Sequence, residues 1–201
     1  MNATRAHVRH RLVLDLLGPV DAFVGQEGYG GAGDASPIAL CHGDWDPPPP
    51  DGVLVRIQSS CVYGEVFHSR DCDCRDQLDE AMRRMQDERA GIVIYLNQEG
   101  RGAGIVPKAL GYRYSQQHGV DSFVAYEQLG YQVDERDYSA AAEILEDLKI
   151  DRIRLLTNNP RKCEAIAAAN IAVDRVPLVM APLSDESEKY LQSKRARGHL
   201  L

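Results

Sequence analysis

Gly91-Ile92-Val93-Ile94-Tyr95-Leu96-Asn97-Gln98-Glu99-Gly100-Arg101-Gly102-Ala103-Gly104 sets a short apolar run against a glycine-rich turn. A run of this length bounded by turn residues reads as a buried strand. Val53 to Ile57 and Ile153 to Leu156 have the same character, and helical patterns alternate with all three. Arg75 to Arg89 places Leu78, Ala81, Met82 and Met85 on one face at helical spacing, so a helix begins directly after a pair of cysteines. Ser139 to Leu148 reads as a second amphipathic helix, Pro160 opens a third at a first-turn position, and Glu186 to Arg197 reads as a fourth. The alternation predicts an α/β fold, a mixed sheet flanked by helices in α/β/α layers. Residues 1–52 are less legible: Pro37 to Cys41 reads as a short strand, while Gly28 to Gly33 and Pro47 to Pro50 read as loop.

At 201 residues the chain suits a single domain, expected to span residues 1–201 with its regular core from residue 53 onward. A net charge of −7 argues against nucleic-acid and anionic-membrane partners, which ask for a basic face. Any polyanionic ligand must then be held by a local cluster of Arg and Lys. No apolar run approaches the ~20 residues that span a bilayer. Leu12 to Val20 is interrupted by Asp15 and by Gly18-Pro19, which is more strand-like than a secretory signal. The five cysteines are an odd number, with three bunched too tightly for an extracellular disulfide framework, so a reducing cytoplasm is expected.

Cys61, Cys72 and Cys74 stand within a polar stretch that also carries Arg70, Asp71, Asp73 and Arg75. Three thiolates can hold zinc and leave its fourth tetrahedral position open for water, the arrangement of a hydrolytic site. A closed structural site, with His68, Cys41 or Cys163 as fourth ligand, is the alternative; for the distant Cys41 and Cys163 a packing role is favoured. The turn Gln98 to Gly104 leads from strand to helix and offers backbone amides and Arg101 to an anion. Thr157-Asn158-Asn159-Pro160-Arg161-Lys162 follows another strand and opens a helix, as a ligand-binding edge or as a polar cap through Asn159. Asp134-Glu135-Arg136-Asp137 is either a solvated charge run or a general base beside an anion-binding guanidinium.

Together these motifs resemble the GTP cyclohydrolase II family. The likeness rests on Arg56, Cys61, Cys72-Asp73-Cys74, Gln77, Gln98-Glu99-Gly100-Arg101, Gln128-Leu129-Gly130, Asp134 to Asp137, Leu155 to Pro160 and the ending Gly198 to Leu201. The resemblance implies a zinc enzyme of riboflavin synthesis that opens the imidazole ring of GTP, releasing formate and pyrophosphate. By matched position, Cys61, Cys72 and Cys74 would bind Zn2+, Asp134 would accept a proton, and Arg136 would be the nucleophile toward the α-phosphate. Arg56, Gln77, Glu99, Gly100, Arg101, Ser122, Thr157 and Lys162 would contact the nucleotide, with Tyr112 near the reacting ring. A homodimer is implied as well, and a triphosphate substrate would bring Mg2+ with it. A guanidinium with a pKa above ~12 is almost never a free base, so stabilisation of leaving pyrophosphate is at least as good a role for Arg136.

The chain departs from the family pattern at Gln58 and Ser60, where a histidine and a glutamate are usual, and at Asp71, Arg75, Ile105 to Pro107 and Ser122. These changes spare the cysteines and alter their surroundings. They raise a second reading, a diverged paralogue that acts on another nucleotide or stops at a formylated intermediate. Of two further rivals, a zinc nucleobase deaminase lacks its Pro-Cys-x-x-Cys pair here. A non-catalytic nucleotide-binding protein with structural zinc is opposed by the presence of both Asp134 and Arg136.

Overall fold

The computed structural model describes residues 5–27, 29, 36–182 and 184–200. Most of the loop expected over 28–33, and Leu201, lie outside the described residues. The strands are β1 (Ala6–Leu14), β2 (Gly18–Glu27), β3 (Ile38–Gly43), β4 (Val53–Ser59), β5 (Ala90–Leu96), β6 (Arg152–Leu156) and β7 (Ala172–Val176). The helices are α1 (Val62–Glu65), α2 (Cys74–Glu88), α3 (Ile105–His118), α4 (Ser122–Gln128), α5 (Ser139–Asp147), α6 (Pro160–Ala167) and α7 (Asp185–Ala196), with a 3-10 turn at Glu99–Gly102. None of the described helices is long and apolar enough to cross a membrane.

One mixed sheet runs in the order β1-β2-β3-β5-β4-β6-β7. Strands β5, β4, β6 and β7 are parallel, and β1, β2 and β3 extend the sheet as an antiparallel meander. The four strands and four helices expected from the sequence are present within a few residues of their expected limits. Leu12 to Val20 differs: it is not one strand but a hairpin corner, with β1 ending at Leu14 and β2 starting at Gly18. Strand β1 is exposed on both faces along nearly its whole length, so no apolar alternation marks it in the sequence.

The central strands are buried on both faces, which is why they read as continuous apolar runs. Val53, Val55 and Ile57 of β4 join Ile92, Ile94 and Leu155 in a cluster with Ala141 and Leu145 of α5 and Ile166 of α6. Leu54 of β4 points the other way, with Val93 and Leu156, onto Ala81 and Met85 of α2. The α/β/α layering follows from that alternation. Fully burying one such aliphatic side chain is worth about 1.5–3 kcal/mol, so these two clusters supply most of what holds the sheet between its helices. The same parity puts Arg56 and Gln58 on the α2 side, and both are buried.

The parallel register places Ser59 of β4 beside Leu96 of β5, and Val55 beside Leu155 of β6. Chain segments leaving these three strands, at Ser60-Cys61, Asn97 to Arg101 and Thr157 to Asn159, therefore emerge at one edge of the sheet. Side chains for a site are drawn from such carboxyl ends.

The turn from β3 requires glycine at position 43. Gly43 has φ +66, and a Cβ there would lie 1.8 Å from the Arg89 carbonyl oxygen that accepts from the Asp44 amide. Gly43→Ala should lower the unfolding free energy by about 2 kcal/mol or more, through left-handed strain and overpacking. Urea denaturation measures this, and an unchanged midpoint would show that this β3–β5 corner does not limit stability.

Candidate active site

The three cysteines converge from the loop after β4 and the start of α2. Their sulfurs all lie within 4.8 Å of one another, with Cys61 Sγ 3.7 Å from Cys72 Sγ. Tetrahedral thiolates at ~2.3 Å from one zinc would stand about 3.8 Å apart, so the spacing fits such an ion. Among the described residues no other His, Cys, Asp or Glu joins the group. His68 is exposed, Cys41 is buried in the core on strand β3, and Cys163 packs against that core from α6. Gly64 of α1 leaves room above the sulfurs, since a Cβ there would come within 2.9 Å of Cys72 Sγ.

Hydrogen bonds from the other two thiols hold Cys61 far below the usual thiol range, while the bond to Cys61 raises Cys72 and the bonds to Cys61 and Cys72 raise Cys74. A cation placed beside these sulfurs favours their ionised form. Lys108 of α3 is beside them, its Nζ 3.2 Å from Cys61 Sγ and 2.6 Å from Glu99 Oε1. Burial disfavours the Lys108 charge, but Glu99 and Cys61 outweigh it and hold its pKa above the usual lysine value. Glu99 also accepts from the Val62 and Gly100 amides, so it fastens the turn after β5 to α1.

Two connected chambers meet beside this cluster. The outer one, about 600 Å³, lies within the ~300–1,000 Å³ usual for small-molecule sites and is lined by Cys61, Cys72, Glu99, Gly100, Tyr112 and Ser122. The inner one is lined by Arg56, Gln77, Thr157 and Lys162, and Cys74, Arg101 and Arg136 border both. Tyr112 packs edge-on against Tyr63 at 5.6 Å, close to the sulfurs. Ser59 Oγ, Gln98 Oε1, Arg101 Nη1 and Ser115 Oγ are buried without a hydrogen-bond partner, and all four residues line the outer chamber. Four unpartnered polar groups in residues that wall one cavity make that wall a candidate for a polar ligand.

The inner chamber is cationic. Arg56 donates to Gln58 Oε1, Gln77 Oε1 and the Leu156 carbonyl, and burial pushes its pKa down to about 10, still protonated at neutral pH. Lys162 donates to the Ile57 carbonyl at 2.7 Å; burial first, then repulsion from Arg56 and Arg136, holds it well below the usual lysine value. His199 is pushed down to about 4 by burial and by Lys194, Arg136 and Lys162, so it is neutral at pH 7. Arg101 adopts φ 59 and lays its guanidinium 3.5 Å over the Phe123 ring while donating to Ser122 Oγ at 3.0 Å. A left-handed arginine costs on the order of 1–2 kcal/mol and persists where its surroundings enforce it.

Two sequence expectations look different in place, and a third shows both of its alternatives. The amides of Gly100, Gly102, Ala103 and Gly104 bond within their own turn, so Arg101 contributes through its side chain rather than through a backbone cradle. Asp134 lines neither chamber: it stands behind Arg136, which it grips through Nε at 2.8 Å and Nη2 at 2.7 Å, with Arg161 on its outer side at 3.0 Å. Asn159 does cap α6, accepting from the Arg161 amide, while Thr157 and Lys162 face the inner chamber. Of the unusual positions, Gln58 bridges Arg56 and Glu65, Ser60 lies 3.4 Å from Asn97 Oδ1, Asp71 pairs with Ser69, and Arg75 reaches Asp79 on the surface. Sequence reasoning assigned no site role to Lys108, Tyr190, Lys194 or His199, which also face these chambers.

Fold and site together define an α/β protein with a three-thiol candidate metal centre opening onto a cationic chamber. The sequence model of GTP cyclohydrolase II matches residues 25–177, and the chain belongs to that family. It is 41% identical over 165 residues to the riboflavin biosynthesis protein RibBA of Cytophaga hutchinsonii, covering 82% of this chain and 40% of that protein. It is 45% identical over 166 residues to the RibBA proteins of Bacillus mycoides and Bacillus cytotoxicus, again covering 82% of this chain and 41% of theirs. The chain thus spans about two fifths of the length of these curated relatives.

Burial works against the Asp134 charge, but Arg136, with help from Arg161, holds its pKa below the usual aspartate value. A depressed folded pKa contributes stability that is present above the unfolded value of ~3.9 and lost as pH falls through the folded value. Asp134→Asn should therefore lower the urea midpoint at pH 6 and converge with the unaltered chain toward pH 2. A gap as large at pH 2 as at pH 6 would contradict the charge pairing.

Proposed function

We propose that this chain is a zinc-dependent hydrolase that opens the imidazole ring of GTP, releasing formate and pyrophosphate and leaving a 2,5-diamino-6-ribosylamino-pyrimidinone phosphate. The observation that carries this reading is the shared wall of Cys74, Arg101 and Arg136 between the sulfur cluster and the cationic chamber. One ligand can present a ring to the first and phosphates to the second. Membership of the GTP cyclohydrolase II family supports the same substrate.

Cys61, Cys72 and Cys74 would hold zinc, which supplies a Lewis acid able to bring the pKa of water to about 7 for attack at the purine C8 carbon. Lys108 and Glu99 fix Cys61 and the turn around it, and Tyr112 borders the space for the ring. Arg56, Arg101, Arg136 and Lys162 would receive the triphosphate, with Mg2+ accompanying it; burial and then cationic repulsion depress Lys162, and an arriving anion would offset the repulsion. Gln77, Gly100, Ser122 and Thr157 would complete the nucleotide contacts.

Arg136 acts here as a cation. The bidentate grip of Asp134 holds its pKa above the usual arginine value against the effect of burial, so it would stabilise charge on the leaving pyrophosphate and not attack as a free base. Asp134 orients Arg136, and its role as proton acceptor rests on the family resemblance. The bunched cysteine spacing is the ground for proposing a cytoplasmic setting, and a homodimer rests on the family resemblance.

A second reading is favoured by Gln58, whose amide is committed to Arg56 and Glu65 and so offers little to a substrate. In that reading the reaction stops at a formylated product. Incubating the zinc-loaded chain with GTP and following formate, pyrophosphate and product mass separates the two: formate is expected, and a product retaining the formyl group supports the alternative. Cys72→Ser should lose most of the zinc and slow formate release about 100-fold or more. GTP left intact by a chain carrying one equivalent of zinc would overturn both.

A further inference from the structure

Helix α7 lies beyond residues 25–177 that the family model matches, yet it closes one side of the site. Its start is fixed by a capping box between Ser184 and Ser187 and by the Ser184 hydroxyl donating to the Arg70 carbonyl at 2.8 Å. Its end is fixed by Arg197 on Glu127 and by the Leu200 amide donating to the Asn158 carbonyl. Six of its residues line the chambers, Glu186, Lys189, Tyr190, Gln192, Ser193 and Lys194. Lys194 lines the inner chamber, and Tyr190 lines both.

Lys194 is buried, and its Nζ lies 2.6 Å from Asp73 Oδ1, between the second and third cysteines of the cluster. Asp73 Oδ2 accepts from Gln77, whose own oxygen accepts from Arg56. One carboxylate therefore positions an ammonium that carries three donors, and the pairing with Asp73 uses one of them. The chamber holds Arg56, Arg101, Arg136, Lys162 and Lys194, against which the pairing carboxylates are Asp73 and Asp134. The Tyr190 ring lies 4.3 Å from Lys194 Nζ, at the junction where the sulfur side and the cationic side meet.

We propose that α7 completes the substrate site: Lys194 binds phosphate oxygens, and Tyr190 packs against the nucleoside between phosphates and reacting ring. This rests on the proposed GTP reading for the nucleoside part, but not for the anion part.

Calorimetric binding of inorganic triphosphate and of GTP to the full chain tests it. Lys194→Met should weaken inorganic triphosphate about tenfold or more, the scale of one lost charge-assisted hydrogen bond, and Lys194→Arg should recover part of the loss. Tyr190→Leu should leave inorganic triphosphate within about twofold while weakening GTP about tenfold, raising KM more than it lowers kcat. Because Lys194→Met leaves Asp73 buried without its partner, the double variant Asp73→Asn/Lys194→Met is measured beside it, with melting temperature and zinc content as checks on the fold. Variants that match the unaltered chain for both probes would overturn the proposal while leaving GTP hydrolysis standing. A chain that binds triphosphate through Lys194 but does not turn over GTP would support the Lys194 assignment and remove the hydrolase reading.

Discussion

Three cysteine sulfurs within 4.8 Å of one another cannot all ionise unless positive charge is brought to them, and much of the surrounding structure supplies or distributes that charge. Lys108 touches Cys61 from one side, and the first turn of α2 begins at Cys74 on the other. Gly64 keeps the space above the sulfurs clear. The thiols are held by a short loop, a one-turn helix and the start of a long helix, all anchored to β4 and β5. Rigid strands thus fix the donors, which is the condition for holding a metal in one geometry.

A buried chain of polar groups ties that cluster to the sheet and to the distant end of the protein. Tyr95 of β5 donates to Glu65, which accepts from Gln58; Gln58 and Gln77 both accept from Arg56; Gln77 and Lys194 both donate to Asp73. Each link is satisfied by the next, so removing one leaves a neighbour buried and unpaired. The network explains how Gln58 sits where it does: its two ends fit the spacing between Arg56 and Glu65, which hold it in the wall of the inner chamber.

The parts of the fold legible in the sequence were those whose burial is complete. Val53 to Ile57, Gly91 to Leu96 and Ile153 to Leu156 are covered on both faces, and α2 carries its core residues in one stripe. The β1–β2 hairpin escaped because β1 contacts the core so little that no period marks it. Helix α3 was placed only by its start, since its apolar residues do not gather on one side. In the site, Cys61, Cys72, Cys74, Arg101 and Lys162 were found through local spacing. Tyr190 and Lys194 were not, because the pairing with Asp73 crosses 121 residues and nothing near either partner announces it. Lys108 was visible only as a lysine on a helix; the turn that carries Glu99 gives it its place.

The most direct test is X-ray absorption at the zinc edge on the purified, reduced chain. Three sulfurs at about 2.3 Å and one oxygen or nitrogen at about 2.0–2.2 Å are expected, with the light atom exchanging for added ligand. A fourth sulfur or a histidine in that position, or a reduced chain that takes up no zinc, would contradict the open thiolate centre from which the chemistry follows.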